Sequence, residues 1–359
     1  VSERIEAMVA ANVPTGRILG VIDDIPQEAL VRNELPEFWA GWAQSGVDVS
    51  SVTVGAFGER PFGYDNAVRD LAGWTRSFDL LPRFLKVIHP ADAIRTKQEN
   101  RHGIILNFQD TTHIGSDLDK LNFFYDLGVR IIQLTYNHRN LVGDGCTERS
   151  PSGLSLFGLD VVRRMNELGI LVDVSHCGEP TTLDAIEAST KPVAVTHSFC
   201  RALSDHDRGK SDDVIRALGD AGGYFGVLLV PFFITADPVA TLDHFVAHFE
   251  RVVDLIGPDQ VGVGTDWGAR FPKPLIDLLN EEVRRLGFRE EHRVDWNATV
   301  EGFRDWREWP NITGALVDRG YSDDEITGFL GANFLRVLER PLGRSVEGTA
   351  ARSGESLGR

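Results

Sequence analysis

LVDVSHCGEPTTLDAIEASTKPVAVTHSFCR, residues 171–201, holds two copies of one device in a row. Each copy is a short apolar run that ends in a histidine. Ile170 to Ser175 leads into His176, and Pro192 to Thr196 leads into His197. Between them, Thr182 to Ser189 has helical composition and the length of a βα connection. Two consecutive parallel strands would therefore each carry a histidine at the carboxyl end. In a parallel α/β barrel that rim is where active-site groups converge, so neighbouring rim histidines point to a metal site. A single histidine would more simply be a satisfied loop residue; the repetition favours the ligand reading.

The alternation continues outward in both directions. Upstream, strands are expected at Arg17 to Ile22, Val47 to Val54, Gly103 to Phe108 and Arg130 to Thr135. Downstream they fall at Gly223 to Val230 and Gln260 to Thr265. Helical stretches lie between them: an opening amphipathic segment to about Ala11, then Arg32 to Gln44, and a mostly helical Gly58 to Asn100 broken at Pro82 and restarted at Pro90. Asp117 to Leu127 follows, with Gly128 as its stop, then Phe157 to Leu168, Asp212 to Ala221 and Thr241 to Ile256. Eight strands alternating with helices is the count of a (β/α)₈ TIM barrel. Past Gly268 the chain is expected to add C-terminal helices at Lys273 to Leu286, Ile312 to Arg319 and Ser322 to Arg340, the last opened by a capping box, Ser322 to Glu325. The expectation is one domain over residues 1–342 and a disordered Gly, Ser and Arg rich tail over 343–359.

Composition narrows the function classes. With 359 residues and 42% hydrophobic content, the chain can bury a large core. A net charge of −16 argues against nucleic acid or an anionic membrane surface as partner. Cys146, Cys177 and Cys200 are odd in number and lack CxxC spacing, so reduced thiols are expected rather than disulfides. No segment approaches the roughly 20 apolar residues of a membrane span, and the first residues lack a signal-peptide core. The expected location is cytoplasmic.

Strand-end residues collect at one rim: Asp23 or Asp24, Gln109, Tyr136, His176, His197 and Asp266. Two histidines and the Asp266 carboxylate suffice for one divalent ion with open positions, and Gln109 could add a weak amide oxygen. Zinc is the first expectation, with iron or manganese as other options. Such an ion would acidify a bound water and polarise a carbonyl, while Asp266 accepts or relays the proton. In the charged loop Ser204 to Asp213, Arg208 or Lys210 could grip a substrate carboxylate, Arg208 better through its bidentate fork; the commoner fate of such a run is a solvated surface.

At these residues the sequence resembles the membrane dipeptidase (renal dipeptidase) family of metallopeptidases, which is allied to the amidohydrolases. The matching segments are Gly128 to Arg130 with Leu134-Thr135, Gly169 to His176, Pro192 to Ser198, Arg208 with Ser211-Asp212, Gly222-Gly223 with Gly226-Val227, and Gly262 to Asp266. The resemblance implies a barrel that hydrolyses dipeptides and related small amides with two zinc ions sharing a glutamate. It implies that His176 and His197 hold one zinc, that Arg208 meets the substrate carboxylate and that Asp266 handles a proton. Family dimers make a homodimer an option.

Three departures fall in one half of that site. Where the family has a His-x-Asp pair after the first strand, this chain offers Ile25 and Gln27, or Ile22 and Asp24 in another register. Gln109 stands at the bridging glutamate, and Tyr136 replaces a substrate-contacting histidine. Isoleucine cannot ligate, and a neutral amide cannot balance two zinc charges, so one ion is expected instead of two. The function expected is hydrolysis of a small amide, a dipeptide or an N-acyl amino acid. A single-ion oxygenase, decarboxylase or lyase on the same scaffold and a non-catalytic binding protein are the alternatives.

Overall fold

The computed structural model describes residues 10–13, 36–55, 63–266 and 273–342. The expected strand at Arg17 to Ile22, the candidates Asp23 and Asp24, the positions of Ile25 and Gln27, and the tail from Gly343 lie outside the described residues. Within them the chain runs β1 (Ala10–Val13), α1 (Pro36–Ser45), β2 (Val49–Thr53), α2 (Gly63–Leu80), β3 (Phe84–Lys86), α3 (Pro90–Gln98) and β4 (His102–Phe108). It continues through α4 (Asp119–Leu127), β5 (Val129–Gln133), α5 (Leu156–Leu168), β6 (Leu171–Asp173), α6 (Glu179–Ala188), β7 (Ala194–Ser198), α7 (Asp212–Asp220) and β8 (Tyr224–Val227). After these come β9 (Ala240–Thr241), α8 (Leu242–Ile256), β10 (Val261–Val263), α9 (Lys273–Glu282), β11 (Val300–Glu301), α10 (Trp309–Asp318), α11 (Asp323–Thr327) and α12 (Asn333–Leu342).

The strands pair in the order β1-β2-β4-β5-β6-β7-β8-β10, every pair parallel, which gives the curled, helix-wrapped sheet of an α/β barrel. The helix stops and starts follow local chemistry. Gly128 closes α4 at φ 107°, Ser155 caps α5 by accepting from Gly158 N at 2.9 Å, and Ser322 and Glu325 form the expected box.

Three expectations need correction. Gly58 to Asn100 is interrupted by a strand, β3, which pairs with the start of β4; with only three residues its period-2 signal is too short to read against flanking helices. Ala10 is in β1, paired with β2, and not in a helix. Ser322 to Arg340 is not one helix: a wide turn over Gly328–Ala332 separates α11 from α12. The turn aims Asn333 at the end of the sheet, where its Nδ2 donates to the Pro258 and Val261 carbonyls at 2.7 and 2.8 Å.

Alternation along the strands sorts the inner face into layers. At the amino ends Val49, Ile105, Ile131, Leu171, Ala194 and Tyr224 form one apolar cluster, plugged from below by Phe334, Val337 and Leu338 of α12. Two residues further along, the same face is polar and buried: Ser51, Asn107, Gln133, Asp173 and Thr196. Asn107 Nδ2 donates to Ser51 Oγ at 2.8 Å, and Thr53 Oγ1 donates to Asn107 Oδ1 at 3.2 Å. Gly264 lies where a Cβ would run into the Thr196 carbonyl, so the end of β10 can approach β7 only without a side chain there. All three cysteines are free thiols, and no described helix is long and apolar enough to cross a membrane.

The plug makes a stability prediction. Leu338 has no exposed surface, so Leu338→Ala should cost about 2–5 kcal/mol. Chemical denaturation should show that loss.

Candidate metal centre

His176 and His197 stand at the carboxyl ends of β6 and β7, both buried, with their Nε2 atoms 3.0 Å apart. What each ring does with its other nitrogen fixes the meaning of that contact. Asn137 Nδ2 donates to the Leu286 carbonyl at 2.6 Å, which leaves Asn137 Oδ1 facing His176 Nδ1, also at 2.6 Å. An amide oxygen only accepts, so the His176 proton is on Nδ1. For His197 the chain is one step longer. Thr196 Oγ1 donates to Asp173 Oδ2 at 2.6 Å and therefore accepts from His197 Nδ1 at 2.8 Å.

Both Nε2 atoms thus carry lone pairs, and the lone pairs face one another. Burial, reinforced by Arg208 and Lys210, holds both imidazoles well below their usual pKa, so a shared proton is disfavoured. A cation between the two nitrogens resolves the conflict. Their separation is close to the roughly 3.3 Å expected between two ligands of a tetrahedral ion with bonds of about 2.0–2.1 Å.

Asp266 completes the group: one ligand atom from each of His176, His197 and Asp266 lies within 4.8 Å of the others. It follows β10 and adopts φ 49°, a left-handed conformation that aspartate tolerates better than most side chains. Burial pushes its carboxyl up to about 7; Arg208 pulls the other way and Asp173 adds to the rise. An adjoining cation would favour the ionised form. Of the rim residues expected from the sequence, the fold brings these three together, two from consecutive strands and one from the far end of the sheet.

The other rim residues have different surroundings. Tyr136 lies flat on His176, ring centroids 4.2 Å apart and planes 22° apart, and forms one wall of the site. Gln109 is buried at the end of β4, and its main-chain carbonyl accepts from Gln133 Nε2 at 2.5 Å. Arg208 is not on a solvated loop: it is fully buried. Its Nη1 donates to the Ser175 carbonyl and to Ser198 Oγ at 3.3 Å, and its Nη2 donates to the His197 carbonyl at 2.7 Å. The guanidinium thus braces the two histidine-bearing strand ends, while Nε is buried without a hydrogen-bond partner. Lys210 spends its ammonium on the Val174 and Cys177 carbonyls and Thr182 Oγ1, at 2.8, 2.7 and 3.1 Å.

Asn137, Asp173 and Thr196 were not singled out from the sequence. Asp173 left a signal, an acidic residue inside the apolar run Leu171 to Val174 at an inward parity. Its carboxylate also accepts from Ser175 N and Ser175 Oγ at 2.9 and 2.5 Å, and Ser175 Oγ in turn receives His197 N at 3.1 Å.

Two predictions arise here. Thr196→Val removes the acceptor that fixes His197 and should weaken zinc binding about 10- to 100-fold in a chelator competition. The second concerns Asp207, which pairs with Arg289 and accepts from His292 Nε2 at 3.3 Å. The His292 and Arg289 contacts bring its carboxyl down to about 2, against burial. A carboxyl lowered on folding stabilises above its unfolded pKa near 3.8 and loses that contribution as the pH falls towards 2. The Tm gap between wild type and Asp207→Asn should therefore shrink over that interval.

A dipeptidase of Claviceps purpurea, tcpJ, is 30% identical over 280 residues, 77% of this chain and 59% of that protein. Rat dipeptidase 3 is 26% identical over 276 residues, 73% of this chain and 50% of that one. The chain spans between about half and three-fifths of the length of the curated relatives it matches. A crystal structure of an amidohydrolase from Pseudomonas aeruginosa superposes with a TM-score of 0.78 at 29% identity, covering 86% of this chain and 93% of that one. A Rhodobacter sphaeroides metallopeptidase, solved with a phosphinate mimic of L-Ala-D-Ala, shares the fold at 17% identity, with a TM-score of 0.74 over 94% of this chain and all of that one. The family model for membrane dipeptidase, Peptidase family M19, matches residues 76–290 and 294–350, the stretch that carries both histidines and Asp266, and the chain belongs to that family.

Proposed function

We propose that this chain is a metal-dependent hydrolase of small amides with a free carboxylate, a dipeptide or an N-acyl amino acid, working with one divalent ion. The observation that carries the reading is the pair of buried imidazole lone pairs at 3.0 Å with a carboxylate beside them. The relatives named as dipeptidases and the neutral Gln109 at the place of a bridging acid support it further. His176, His197 and Asp266 would hold the ion, zinc first and iron or manganese next. When bound, such an ion supplies an acidified water and a polarised carbonyl.

The chain's own residues supply the rest. Asp266 would take a proton from the attacking water and pass it to the leaving amine. Tyr136 walls the site on the His176 side, where the family's histidine is absent. Arg208 retains Nε and one Nη2 hydrogen, a side-on fork suited to a carboxylate.

The test is metal stripping and reloading. Chelated protein should be inactive and should regain dipeptide or N-acyl amino acid turnover with one equivalent of zinc. His176→Ala should lose at least about a thousandfold, the loss of transition-state stabilisation expected when the activating ion goes. Two tightly bound ions per chain would refute the single-ion part. Iron retained from purification, with oxygen uptake dependent on substrate, would replace hydrolysis by oxygenase chemistry.

A further inference from the structure

Asn137 is fully buried and makes three contacts that no single strand signal requires. Its Oδ1 accepts from His176 Nδ1 at 2.6 Å and from Cys146 Sγ at 3.3 Å, and its Nδ2 donates to the Leu286 carbonyl at 2.6 Å. The last contact spans 149 positions of sequence. It reaches a segment that follows α9 and crosses the mouth of the sheet. Along it, Gly287 is held at φ 87° with room for no Cβ between Thr147, Asn137 and His138. Arg289 Nη1 donates to the Thr147 carbonyl at 3.1 Å, and its Nη2 pairs with Asp207. His292, buried, packs tilted against His206 with ring centroids 4.3 Å apart. The segment is therefore fastened to two loops at once: the one after β5, which carries Asn137, and the one after β7, which carries Arg208.

The amide of Asn137 could be turned either way round. Turned over, its NH₂ would face His176 Nδ1, which would then have to accept, moving the ring proton to Nε2. A protonated Nε2 cannot ligate. The Leu286 carbonyl accepts only, so it fixes the NH₂ on its own side and the oxygen on the histidine's. We propose that Asn137 is a positioning residue that selects the metal-binding tautomer of His176, and that the strap Leu286 to His292 selects the orientation of Asn137. This rests on the reading of His176 and His197 as metal ligands. The two histidines are then controlled from different directions. His197 is set by Asp173 and Thr196 from inside the barrel, and His176 is set from above by a segment joined to it only through tertiary contact.

The experiment measures zinc affinity of the full chain by competition with a chromophoric chelator, alongside far-UV circular dichroism. Asn137→Leu removes the acceptor and should weaken zinc about 10- to 100-fold. Asn137→Asp keeps an acceptor towards His176 whichever way it turns, replaces the donor to Leu286 with an acceptor, and should bind zinc more tightly than Asn137→Leu. Arg289→Gln alters a half-exposed side chain that touches no ligand, so it should fold. By loosening the strap it should weaken zinc about 3- to 10-fold, less than direct removal of the outer partner. Folded Asn137→Leu with wild-type affinity would overturn the role of Asn137, and unchanged affinity in Arg289→Gln would overturn that of the strap. Absence of zinc binding by wild type would instead bring down the metal-site reading, and this inference with it.

Discussion

Everything at the carboxyl end of this sheet depends on keeping two neutral imidazoles with their Nε2 lone pairs pointed at one point. Left alone, buried histidines at that distance would share a proton or turn away. Here neither escape is open. Each Nδ1 is committed to an acceptor, one an amide oxygen and the other a hydroxyl already spending its proton on Asp173. The nearby cations Arg208 and Lys210 make an extra proton more costly still. A site that disfavours protons but concentrates lone pairs and a carboxylate is chemically biased towards a metal ion.

The barrel interior is organised to support that bias. Its amino end is apolar and plugged by α12, which anchors the strands through burial. The next inward layer is polar, with Asn107, Gln133, Asp173 and Thr196 all buried. Such a layer costs stability unless its groups find partners. Asp173 finds four donated hydrogen bonds and hands their directionality on to His197. Arg208 acts from the outside of the same rim, tying the ends of β6 and β7 together through their carbonyls. It braces with Nη1 and Nη2, while Nε stays uncommitted.

The sequence made much of this legible. The repeated strand-then-histidine device located His176 and His197, and Asp266 was visible as an acid closing the last strand. These signals are local, a few residues long, and tied to a fold whose strand ends converge. Apart from the family resemblance, Arg208 was legible only as a cation in a charged run, because burial decides whether such a run is solvated or braces a core, and burial is not local. β3 escaped notice for want of length, and the break before α12 is marked locally only by Gly328 and Gly331, residues that a continuing helix also tolerates. Asn137 left no signal at all: its partner is the Leu286 carbonyl, and every residue has a carbonyl.

The sequence by itself determined the alternating architecture, the two imidazoles and the acid, because strand period, helix caps and residue chemistry are short-range properties. The tertiary structure alone decided that these three ligand atoms lie within 4.8 Å of one another, which ring nitrogen of each histidine carries its proton, and that a distant strap reaches Asn137. A tautomer is set by the hydrogen-bond partner of the opposite nitrogen, and that partner is chosen by how the chain packs in space.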